Sequence, residues 1–134
     1  MRAVDTNVLV RLIVRDEQHQ TATAEGFIAT GAWVSHLVLA ETVWVLDAVH
    51  SLSAERIATA IEMLLHHETL TLQDADVVEA ALRHFRARPA LGFSDCLVLE
   101  IARKAGHAPL GTFDKQLSSL PGTERLRTRG MPRA

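Results

Sequence analysis

The 134-residue chain has one cysteine, Cys96, so it forms no internal disulfide and fits a reducing compartment. No apolar run reaches the roughly 18 to 20 residues that span a bilayer. The first strand-like residues, Ala3 and Val4, stop at Asp5, which leaves no room for a signal sequence, and the cytoplasm is the expected compartment. There is no glycine-rich phosphate loop. His19, His36, His50, His66, His67, His84 and His107 are scattered, with no i,i+4 pair beside a catalytic glutamate. The adjacent His66 and His67 point about 100° apart on a helix, which suits a solvated helix end better than a metal site. No histidine is spaced to activate Cys96, which reads as a small buried residue. Low-complexity stretches and internal repeats are also missing, and one domain over residues 1–134 is expected.

What is present is a core-forming composition, 48% hydrophobic against 22% charged. The net charge of −2 does not mark a nucleic-acid binder, but its distribution is uneven. Residues 101–134 carry seven basic side chains against two acidic ones, and the first hundred carry seven against fourteen. Such asymmetry suits a basic surface beside an acidic site, and it suits a solvated basic tail equally well.

Apolar segments alternate with amphipathic ones. Ala3-Val4 ends a first strand, with Thr6 or Asn7 as cap of the next element. Val8 to Val14 is ambiguous, since its β-branched residues favour strand while Arg11 and Arg15 at i,i+4 favour helix. Helices are expected over 19–30 (closed near Gly31), from Ser35 to about His50, from Ser53 to about His66, from Asp74 to Arg86 and from Asp95 to Lys104, the last ended by Gly106. Trp33-Val34, Leu70 to Leu72 and Leu110 to Phe113 read as strands. Trp33, Trp44 and the phenylalanines sit in apolar runs and are expected in the core. Short strands between helices indicate an α/β fold, a small parallel sheet with helices on both faces.

Four carboxylates then stand out. Asp5 ends a strand, where open α/β sheets place their ligand crevices. Glu41 is the only charge between Val34 and Leu46 and shares a helix face with Leu37, Val38, Trp44 and Val45. It is either at the edge of that stripe facing water, or paired or metal-bound, because an isolated charge on an apolar face is costly. Asp95 lies in a helix's first turn, a favourable place for any carboxylate. Asp114 comes after Gly111-Thr112-Phe113 and can simply cap the next turn. Each has a bland explanation singly, but a doubly wound sheet can bring all four to one edge. Two carboxylates about 5 Å apart repel by roughly 3 kcal/mol at an effective dielectric of about 20. Four together call for protonation or a divalent cation. Oxygen donors without Cys or His suit Mg2+ or Mn2+ rather than zinc, and such a centre suits phosphodiester hydrolysis.

At these residues the chain resembles a known family. VDTNVLVR (Val4 to Arg11), WVSHLVLAETVWVL (Trp33 to Leu46), FSDCLVLEIARKAG (Phe93 to Gly106) and GTFDKQL (Gly111 to Leu117) look like the motif blocks of PIN-domain ribonucleases, and most of all the VapC toxins of toxin–antitoxin pairs. The blocks occur in order over almost the whole chain. The resemblance implies a three-layer α/β/α sandwich around a small, mainly parallel central sheet, with Val8 to Val14 helical. It implies that Asp5, Glu41, Asp95 and Asp114 hold Mg2+ or Mn2+, with Asn7 and Thr112 shaping the site. Asp114 matches the family's most variable acid, and the tail after Pro121 departs from a clean final strand. Arg11, Arg15 and Lys115 are candidates for holding the RNA backbone. The implied partners are structured RNA such as transfer RNA, a second copy of the chain, and a small VapB-like antitoxin that blocks the groove and supplies operator DNA binding.

Three other functions compete with this one. A haloacid-dehalogenase-like phosphatase also opens strand-Asp, but it needs a second acid two residues on, where this chain has Asn7. A catalytically silent PIN-like interaction module has no need of four acids. A receiver domain would show an acidic doublet after its first strand, which is missing.

Overall fold

The computed structural model describes residues 1–128. Its elements run β1 (Arg2–Ala3), α1 (Thr6–Val14), α2 (Gln18–Ile28), β2 (Ala32–Val34), α3 (His36–Ala48), α4 (Ala54–Leu65), β3 (Leu70–Leu72), α5 (Ala75–Ala87), α6 (Phe93–Lys104), β4 (Leu110–Thr112) and β5 (Thr123–Arg125). β1, β2 and β3 form one parallel ladder, with Ala3 opposite Trp33 and Trp33 opposite Thr71. β4 and β5 form a second parallel ladder, with Gly111 opposite Glu124. The small parallel sheet with helices packed around it is a three-layer α/β/α arrangement. Its β-structure is carried as two ladders rather than one continuous strip. The tail after Pro121, which in sequence departs from a clean final strand, does form one: the backbone N–H of Leu110 reaches Gly122 O at 2.8 Å and that of Leu126 reaches Thr112 O at 2.7 Å. The part of the tail from residue 129 onward lies outside the described residues.

The ambiguous segment after Asp5 is a helix, with Leu9, Val10 and Leu12 buried. Neither Thr6 nor Asn7 caps it. Asp5 does, its Oδ1 accepting from the Val8 N–H. A carboxylate there satisfies a free donor and meets the positive end of the helix dipole. Ser35 and Ser53 cap α3 and α4 in the same way. Asp74 holds the cap position of α5 but makes no capping bond. Its carboxylate accepts from Lys104 Nζ instead, which joins the start of α5 to the end of α6.

α5 packs most extensively on α6, and α3 touches α1, α4 and α6. Ala81 and Val78 on α5 are fully buried, and such small residues let helices approach closely. Phe85 meets Phe93 edge to face at 6.1 Å. Burying each large apolar side chain of this core contributes about 1.5–3 kcal/mol. On α3 the buried face is Leu39, Thr42, Val43 and Leu46. The stripe expected from sequence is split: Val38 and Val45 are half-buried, with Val38 against the core, while Leu37 and Trp44 point away. Leu37 and Trp44 are 69% and 64% exposed. α3 is apolar nearly all round, so only its neighbours decide which face is inside. The buried Thr42 hydroxyl is satisfied by Val38 O at 2.7 Å. Trp33, on the outward-facing position of a three-residue strand, and Phe113, just past β4, are likewise exposed rather than core.

Candidate active site

All four sequence-predicted acids reach solvent. Asp5 sits at the junction of β1 and α1, and one residue on, the Thr6 hydroxyl donates to Glu41 Oε2 at 2.9 Å. That bond fixes Glu41, in the middle of α3, beside the start of α1. Glu41 therefore faces water, as a residue at the edge of the apolar stripe should, yet it is held across 35 residues of sequence. In the sequence Thr6 reads only as a possible cap, and adjacency to Asp5 is the one signal of this role.

The other two acids form a second pair. Asp95 stands in the first turn of α6. It is exposed, but protein crowds its carboxyl enough that partial desolvation holds the pKa above the usual carboxylate range, and the negative charge of Asp114 adds to that rise. Both causes disfavour the ionised form. Asp114 also caps its own turn: Oδ1 accepts from the N–H groups of Gln116 at 2.7 Å and Leu117 at 3.1 Å. Thr112 Oγ1 accepts from the Asp114 N–H at 3.0 Å, so it shapes the loop that presents this acid. Asn7 lines a groove between α1 and α2 with Val8, Arg11 and Phe27.

None of the four acids is paired with Lys, Arg or His among the described residues. Asp16, Glu25, Glu62, Asp74, Asp76 and Glu100 are paired, whereas Glu17, Asp47, Glu55, Glu68, Glu79 and Glu124 make no ion pair among the described residues either. Among the described residues no group of three or more His, Cys, Asp or Glu side chains is already arranged to hold a metal ion. The structure thus shows two separate neighbourhoods: Glu41 is held by Thr6, the residue after Asp5, and Asp95 feels the charge of Asp114. α3 also packs on both α1 and α6. The donor set is all oxygen and lacks counter-charge, which fits Mg2+ or Mn2+ in chemistry.

Of the three candidate cations for the RNA backbone, two are engaged. Arg11 pairs with Asp16 at 2.5 Å, and Arg15 pairs with Glu25. Lys115, next to Asp114, is exposed and makes no ion pair among the described residues. Cys96 is fully buried and has no part in the surface chemistry. Burial, helped by the negative charges of Asp95 and Glu100, pushes its thiol up to about 11.

A buried acid that sequence reasoning missed lies behind the site. Glu100, 7% exposed, accepts from Arg103 Nε at 3.2 Å, and its Oε2 lies 3.0 Å from His84 Nε2. Arg103 also donates to Pro121 O at 2.8 Å, so α5, α6 and the chain entering β5 share one polar knot. Gly122 is required beside it, since its φ is +86° and an added Cβ would meet the Arg103 guanidinium at 2.9 Å. The only hint in sequence is an acid at a position where α6 should be apolar. The described helices include none long and apolar enough to cross a membrane.

Compared with known proteins, residues 2–122 match the family model of the PIN domain. No curated protein and no solved structure gives a significant match.

Proposed function

The chain belongs to the PIN-domain family, whose members are typically nucleases, and from that premise we propose that it is a Mg2+- or Mn2+-dependent endoribonuclease. We take it to be the toxin of a VapBC-like pair. The observation that carries this reading is the set of four solvent-facing carboxylates with no cationic partner among the described residues. Two of them, Asp95 and Asp114, lie close enough for one to raise the pKa of the other.

Asp5, Glu41, Asp95 and Asp114 would hold the ion. When bound, it supplies Lewis acidity and the positive charge that a phosphodiester needs in order to approach four acids. The chain's own groups do the rest. Thr6 orients the Glu41 carboxylate, and Thr112 with the Asp114 turn sets the fourth acid. Its raised pKa lets Asp95 hold a proton more readily than an ordinary aspartate does. Lys115 is free to contact a phosphate, whereas Arg11 and Arg15 must first leave their acidic partners. Asn7, in the first turn of α1, lines the groove toward α2.

In this reading the substrate is structured RNA such as transfer RNA, the chain works as a homodimer in the cytoplasm, and a small antitoxin covers the groove. Incubating the protein with RNA in Mg2+, Mn2+ or EDTA tests the chemistry. Cleavage that persists unchanged in EDTA would sink the metal reading. Expression with and without a small adjacent partner tests the toxin role, and harmless expression of active protein would point to a housekeeping nuclease.

A further inference from the structure

Between α3 and α6 lies a cavity of about 340 Å3 that opens beside Asp95. Trp44, Asp47, Phe85, Phe93, Ser94 and Asp95 are among the residues lining it. Trp44 and Asp47 are three residues apart on α3 and so share a face. The packing that buries Leu39, Val43 and Leu46 leaves most of the Trp44 ring in water. The Asp47 carboxylate, the Ser94 hydroxyl and the Trp44 indole N–H make no side-chain hydrogen bond or ion pair among the described residues. Phe93 is buried and braced by Phe85, which gives the cavity a fixed apolar floor.

We propose that this cavity seats one unpaired base of the RNA, guanine in preference to the others, next to the phosphate that is cut. The proposal rests on the nuclease reading and names a specificity site for it. The volume is at the small end of ligand pockets, the scale of a single base rather than an oligonucleotide. Two carboxylates, Asp47 and Asp95, line it, so a phosphate is repelled and a neutral base is not. An exposed indole is a stacking platform for any base. The carboxylate supplies the choice. Guanine presents N1–H and N2–H side by side, and a carboxylate accepts both. Adenine and cytosine each place an amino group beside a ring-nitrogen acceptor, which faces the carboxylate with like polarity. Uracil offers a single N–H between two carbonyls. A site built around paired hydrogen bonds rejects bases that lack them by roughly tenfold or more.

Two measurements test it. In a Trp33→Phe protein, Trp44 is the only indole, and guanosine without phosphate or metal should quench its fluorescence saturably, with adenosine at least about tenfold weaker. Asp47→Ala should remove that preference. In unmodified protein with Mg2+, the ends of cleaved RNA should place guanine at one fixed position beside the cut, and Asp47→Ala should slow cutting at guanine sites by about tenfold relative to other sites and so flatten the bias. Cleavage indifferent to base, with no guanosine effect on Trp44, overturns the base site and leaves the nuclease reading standing. Guanosine binding in a protein that cuts no RNA sinks the nuclease reading and keeps the base site. Trp44 emission that depends on protein concentration but not on guanosine, with Trp44→Ala yielding monomers of unchanged cutting pattern, overturns the proposal and assigns Trp44 to contact with a second copy.

Discussion

The hydroxyl of Thr6 donates to Glu41 Oε2 at 2.9 Å, so the residue just after the first strand's aspartate holds the acid in the middle of α3. Removing it should free Glu41 without disturbing the core. Thr6→Val keeps the shape and loses the donor, and RNA cleavage is expected to fall about tenfold, the value of one hydrogen bond to a charged group. Thr6→Ser should retain most of the rate. Equal rates for wild type and Thr6→Val would show that Glu41 needs no such support.

Asp95 carries an electrostatic penalty in the folded chain, from partial desolvation and from Asp114. The sign comes from linkage. A carboxyl whose folded pKa is raised holds its proton longer when folded than when unfolded, so stability falls as pH rises through the usual carboxylate range. At neutral pH without divalent ions, Asp95→Asn should therefore melt at a higher temperature than wild type, and the difference should vanish in acid. The same substitution should lower cleavage by about a hundredfold or more, since it removes a charge at the reacting centre. Asp5→Asn should lose activity equally. A fully active Asp95→Asn protein would remove Asp95 from the mechanism.

Adding Mg2+ or Mn2+ gives wild type counter-charge that the folded chain lacks, so either ion should raise its melting temperature. The increase should shrink in a double variant carrying Asp5→Asn and Asp95→Asn. Scanning calorimetry with and without EDTA decides this independently of any RNA.

Cys96 offers a separate check on burial. Its thiol, ordinarily near 9, is pushed up to about 11 in the fold. Between those values the unfolded chain has lost a proton that the folded chain keeps, so stability should decline from pH 9 to 11. Cys96→Ala should flatten that part of the profile in denaturant titrations. Alkylation of wild type at about pH 8 should be slow until the protein unfolds.

Glu100 ties His84 and Arg103 together behind the site. Glu100→Ala strands both partners and is expected to cost about 1–3 kcal/mol of stability, read from urea unfolding. A change within experimental error would mean that water replaces the carboxylate at no cost.

Much of this was legible in the chain itself. Strong local signals set the helices: Ser35 and Ser53 at N-caps, Gly106 at a C-terminal cap, and the 3.6-residue stripes of α4 and α5. The motif blocks pointed to the family that residues 2–122 match. The choice of helix for Val8 to Val14 came only from resemblance, since its β-branched residues argue locally for strand.

Local pattern could not say which side of α3 faces inward. An almost wholly apolar helix has several equivalent stripes, and the packing of α1, α4 and α6 selected Leu39, Val43 and Leu46. That selection turned Trp44 and Glu41 outward and opened the cavity beside Asp95. Nor could sequence show that Arg11 and Arg15 spend their charge on Asp16 and Glu25, or that Glu100 is buried, because ion pairing depends on distances across elements. Residue type and spacing by themselves marked most of the helices and strands, the resemblance to the family that residues 2–122 match, and the four acids proposed for the site. Only the tertiary structure decided which charges are neutralised and which are left facing solvent, because that depends on what each folded neighbour brings within a few ångströms.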